Sequence, residues 1–156
     1  MTKRTFFSLL YALICTVSFG QKFAHPGMLH VTSDLEFMKA KILASEEPWK
    51  EAWSQLKSSE IASLNYKPTP FKVVDNGPYN KPDNGGKEFV RDGAAAYTMA
   101  LQWYVEGDKA YAEKAIEIFN AWAQTLDSVV NHNRQLKVGT AGNQISQCCR
   151  DNKTYL

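Results

Sequence analysis

The stretch RDGAAAYTMALQWYVEGDKAYAEKAIEIFNAWAQTL, residues 91–126, constrains the fold more than any other. It repeats apolar residues at helical spacing twice, with one Gly-Asp break between. Ala96, Met99, Ala100 and Trp103 share one face of the first half; Tyr111, Ala115, Ile118, Phe119 and Trp122 share one face of the second, which runs on to Leu126. Gly107 is placed to end the first helix and Asp108 to cap the next. Asp92 reads as the cap of the first helix. A helical hairpin is predicted, and its many alanines allow close packing.

The chain upstream gives two shorter helices. In SDLEFMKAKILA, Ser33 and Glu36 have the spacing of a capping box, and Leu35, Met38, Ile42 and Leu43 fall on one face. In SEEPWKEAWSQLKSSEIASL, Ser45 is a candidate cap and Pro48 suits a first turn. Trp49, Trp53, Leu56 and Ile61 form the stripe. The four tryptophans sit at helical spacing, so they are read as core rather than as sugar platforms.

Residues 65–91 break this pattern, with four of the chain's six prolines. They predict a long structured loop with at most a brief strand near Phe71–Val74. Long loops in compact domains tend to be functional. Tyr66, Tyr79 and Lys81 are therefore candidate substrate contacts. Arg91, at the loop's end, can hold a carboxylate in two hydrogen bonds, and Asp92 beside it is a second candidate. After the hairpin, Asn131, His132, Asn133 and Arg134 gather two amides, an imidazole and a guanidinium in one polar turn. Asn131 and His132 are the candidate catalytic pair, and Asn133 and Arg134 candidate substrate contacts. His25 and His30 flank Pro26-Gly27 without a third ligand, so no metal site and no cofactor is expected.

The ends of the chain differ from its middle. Lys3 and Arg4 precede the apolar run TFFSLLYALICTVSFG, which reads as a secretory signal over residues 1–20 and predicts export to the periplasm or beyond. The whole chain carries 18 basic and 16 acidic residues. Without Lys3 and Arg4 the two counts are equal, which argues against a nucleic-acid binder. No membrane attachment is expected after cleavage. At the other end, GNQISQCCRDNKTYL holds Cys148 and Cys149 and loses the apolar rhythm. Shifting its codons one base forward permits apolar helix formers at helical spacing. Residues 143–156 are thus expected to be an atypical tail, the product of a frameshift that cuts a helix short.

Taken together, FAHPGMLHVTSDLEFMKAKILASEEPWKEAW, a long loop with Gly-Pro, and the hairpin split by Gly-Asp resemble the N-terminal part of the alginate lyase family of secreted polysaccharide lyases. The resemblance covers residues 23–142. It implies an all-α fold, an incomplete (α/α) toroid of antiparallel helical hairpins with one long Pro/Gly-rich loop. It also implies cleavage of a uronate-containing polysaccharide such as alginate by β-elimination, with the acidic polysaccharide as partner. In that pattern the family's own Asn-His segment and later Tyr and Arg fall beyond residue 156, so this chain is expected to be an inactive fragment. Two rival readings come from other classes. The Gly-Asp hairpin is similar to one tetratricopeptide repeat, although no second copy follows. A non-catalytic glycan-binding helical domain would share the loop and its aromatics.

Overall fold

A computed structural model describes residues 29–153, with side chains on the last helix as far as Gly142 and at Gln144. The expected signal at 1–20, with Cys15, and the His25-Pro26-Gly27 segment lie outside the described residues, as do the side chains of Cys148 and Cys149. Five α-helices are described: α1 (Thr32–Leu43), α2 (Trp49–Ser58), α3 (Gly86–Glu106), α4 (Lys109–Thr125) and α5 (Arg134–Lys153).

The all-α expectation is corrected by a small sheet. β1 (Val73–Asn76) pairs antiparallel with β2 (Asp83–Asn84) and parallel with β3 (Ser128–Val130), in the order β2-β1-β3. Val73 faces Ser128 and Asp75 faces Val130. Strands this short carry too few residues for a period-two pattern to show. The β1–β3 pairing joins segments more than fifty residues apart, which no local spacing reports.

The hairpin forms where the sequence places it. Gly107 adopts φ 76°, the left-handed conformation that closes a helix, and its N–H bonds the Trp103 carbonyl. Asp108 Oδ1 then accepts the Ala110 N–H at 3.0 Å and caps α4. The upstream starts differ from expectation. α1 begins at Thr32, so its cap position is Val31 and not Ser33, and Asp34 rather than Glu36 reaches back to take the cap N–H, at 3.0 Å. Ser45 is not a cap but a left-handed residue at φ 56°. The Glu47 carboxylate accepts the Glu51 N–H instead, at 3.2 Å. Residues 134–153, which run on past residue 142 where the apolar rhythm lapses, form α5.

Helix α3 begins at Gly86, so Asp92 lies inside it and does not cap it. Twelve of its residues are buried, a helix enclosed on most sides. It feeds two apolar clusters. One joins Tyr66, Val74, Phe89, Ala96, Met99, Ala115, Ile118, Trp122 and Ala141. The other joins Leu35 and Trp53 of the first two helices to Leu101 and Val105. Fully burying a side chain such as Met99 or Ile118 contributes about 1.5–3 kcal/mol. Gly93 and Ala141 bring α3 and α5 together: a Cβ at Gly93 would lie 3.6 Å from the Ala141 Cα. Gln102, 1% exposed, donates to the Ala62 carbonyl at 3.0 Å and ties the turn after α2 to α3. Trp49 and Trp103 are half-buried, and Leu43 is exposed.

Candidate functional site

The loop between α2 and α3 is fastened at two places. The first is Asp92, 1% exposed. Its carboxylate accepts the Tyr66 hydroxyl, the Thr69 N–H at 2.8 Å and the Trp122 indole N–H at 2.7 Å. A buried carboxylate persists only with such partners. Asp92 therefore binds the loop to α3 and α4, and the expectation that it contacts substrate is corrected by its enclosure. Tyr66 is buried in the apolar cluster with Phe89 and Trp122, which corrects its reading as a candidate substrate contact. Its phenol is pushed well above its ordinary range, first by burial, then by the hydrogen bond to Asp92 and that carboxylate's charge. Arg91 is exposed beside this network. Its guanidinium lies 5.5 Å from the Tyr66 ring centre and 3.5 Å from Glu60 Oε2.

The second fastening lies where β1 ends. The sheet aligns Asp75 with Val130, and the two strands then part into separate turns. One turn, Pro78–Asn80, carries Tyr79 and leads to Lys81. The other carries residues 131–134. Asn133 N–H donates to the Asn76 carbonyl at 3.1 Å, and its side-chain amide donates to the Gly77 carbonyl at 2.6 Å. Asn131 Nδ2 donates to Asp75 Oδ1 at 2.9 Å, while its Oδ1 accepts the His132 N–H at 2.7 Å. Arg134 N–H and Nη1 both donate to the Asn131 carbonyl, at 3.3 and 3.4 Å.

The turn at Tyr79 is tight. Gly77 N–H bonds the Pro82 carbonyl at 2.9 Å, and a Cβ at Gly77 would collide with the Lys81 carbonyl. Tyr79 and Asn80 adopt φ 54° and 56°, and Asn131 φ 75°, a region that side chains other than glycine rarely occupy. Tyr79 is 95% exposed. Beneath the turn, Asn76 donates to Asp83 Oδ1 at 3.2 Å. Asn76 Oδ1 and Asp83 Oδ2 are buried without a hydrogen-bond donor, although Lys87 Nζ stands 3.9 Å from the latter.

The structure thus brings Tyr79, Lys81, Asn131, His132, Asn133 and Arg134 onto one rim. Arg91 and Asp92 belong to the other fastening. Sequence reasoning missed Asp75, Asn76, Gly77 and Asp83, which hold the rim from below. Asp-Asn ahead of Gly-Pro is a turn signal that marks this position. Among the described residues no group of three or more His, Cys, Asp or Glu could hold a metal ion. No helix among them is long and apolar enough to cross a membrane.

Comparison with curated proteins and with solved structures gave no match. The sequence model of the alginate lyase family matches residues 36–151. That span runs from within α1 into the last turn of α5, passes beyond residue 142 into the tail, and includes both fastenings of the loop. With most of its length matched in this way, the chain belongs to the alginate lyase family.

Proposed function

We propose that the chain serves the β-elimination of a uronate-containing polysaccharide such as alginate, and that the rim of residues 79–81 and 131–134 meets the polymer. One observation carries the reading: an exposed aromatic ring, two cations and an imidazole stand together on a turn pair held by hydrogen bonds, in a chain of a lyase family. Tyr79 offers a face for a sugar ring. Lys81 and Arg134 offer positive charge to a uronate carboxylate. Neutralising that carboxylate acidifies the C5 proton, which a base removes while an acid protonates the leaving oxygen. His132 is the group on this rim suited to carry a proton. Among the described residues no second proton carrier is hydrogen-bonded to its ring, so turnover by this chain alone is expected to be slow or nil. We further read the hairpins as the opening arc of an (α/α) ring, and residues 1–20 as an export signal.

Electrophoresis through gels containing alginate or a neutral glucan tests the reading, together with ultraviolet absorbance of the new double bond. Alginate should retard the chain, the neutral glucan should not, and salt should weaken the effect. The double variant K81A/R134A should lose most of the retardation. Equal migration in both gels, with no double bond formed, would overturn the proposal.

A further inference from the structure

The polymer reading uses Tyr79, Lys81, His132 and Arg134. It leaves unexplained why two asparagines in the same turn spend their amides on the protein. Asn131 and Asn133 make three side-chain hydrogen bonds, to Asp75, to the His132 N–H and to the Gly77 carbonyl. All three lie just past the point where β1 and β3 stop pairing. Beyond that point two exposed turns would otherwise move independently, since surface turns open at little cost.

The chemistry is specific to the residue type. Asparagine tolerates the left-handed backbone that residue 131 adopts. It also donates through nitrogen and accepts through oxygen at once. Residue 131 uses both: Nδ2 reaches across to Asp75, and Oδ1 holds the next N–H of its own turn. Non-glycine residues at positive φ occur on both turns, at Tyr79 and Asn80 and at Asn131. Such conformations persist where the surroundings over-determine them.

We propose that Asn131 and Asn133 are positioning residues: the Asp75–Asn131 and Gly77–Asn133 bonds form a latch that fixes the Tyr79–Lys81 turn against His132 and Arg134. This rests on the rim being the polymer contact. A latched rim presents both halves to the sugar chain already aligned. An unlatched one must be ordered at the moment of binding, which lowers affinity.

The test reverses the Asp75–Asn131 bond. N131D sets two carboxylates against each other and should weaken alginate binding roughly tenfold. Adding D75N lets the amide now at 75 donate to the carboxylate now at 131, which still accepts the His132 N–H. The double variant should return to within about twofold of the parent in Kd. N133A, which removes the other bond, should weaken binding without rescue by D75N. Hydrogen exchange of the amides at 79–81 is the second readout, with the thermal midpoint as a check on folding. Exchange there should quicken in N131D and slow again in D75N/N131D. Unchanged exchange in N131D, or a double variant that restores neither exchange nor binding, would overturn the latch. If the parent chain binds no alginate, the polymer reading fails, and exchange alone then decides the latch.

Discussion

Replacing Asp92 by alanine should be among the most damaging single changes in this chain. The substitution removes the acceptor of three hydrogen bonds. The Thr69 N–H lies on an exposed residue and can turn to water. The other two donors cannot, because Tyr66 and Trp122 are 7% and 4% exposed. Each buried donor left unpaired costs about 1–3 kcal/mol, so D92A should lose about 4 kcal/mol, a large part of a typical domain's stability. For a chain of this size that is a fall of roughly 2 M in the urea midpoint, followed by tryptophan fluorescence at unchanged slope. D92N keeps the volume but turns an N–H toward one of the donors, and should fall about half as far. Adding Y66F to D92A removes one orphaned donor, so the pair should cost less than the sum by about 1–3 kcal/mol. A D92A midpoint within about 0.5 M of the parent would refute the argument that this carboxylate holds the loop to α3 and α4.

Alkaline pH probes the same network through Tyr66. The folded protein keeps a phenolic proton that the unfolded chain releases near pH 10. The stability this represents is complete below that pH and is lost as the pH climbs above it. The parent should therefore lose stability above pH 10 more steeply than Y66F in parallel urea titrations, and equal slopes would contradict the assignment. Two glycines should separate crowding from backbone conformation. G77A drives a Cβ into the Lys81 carbonyl and should cost roughly 3 kcal/mol, whereas G107A meets no neighbour and should cost about 1 kcal/mol for its positive φ. Similar thermal midpoints for the two would defeat that distinction.

The hairpin was readable because everything that makes it is local. Gly107, Asp108 and the apolar residues of α3 and α4 lie within a few turns of one another. Met99, Ala115, Ile118 and Trp122 are buried as their spacing predicts. The start of α3 was hidden by the Gly85-Gly86 pair, which reads as loop. Gly85 is the cap and Gly86 the first helical residue, where a Cβ would press on Asp83 and Asn76. Misplacing that boundary turned Asp92 from a core carboxylate into a cap. Its partners come from positions 66, 69 and 122, and no spacing rule connects those. The rim was half readable. Its exposed residues are polar types in a turn-rich stretch, so composition exposes them. Asp75, Asn76 and Asp83 matter because β1 runs beside β3, and that pairing is a long-range event.

The position of α3 also determines how the chain would tolerate being broken. Leu35 and Trp53 share a cluster with Leu101 and Val105, while Tyr66 and Val74 share another with Phe89 and Met99. Among the described residues, the two helices and the strand ahead of the Pro78–Asn80 turn are thus attached to the helix that follows it by apolar contact as well as by peptide bonds. A single nick at Lys81 would leave two polypeptides that stay together. The same scaffold could be reconstituted from two separately made pieces that meet along α3.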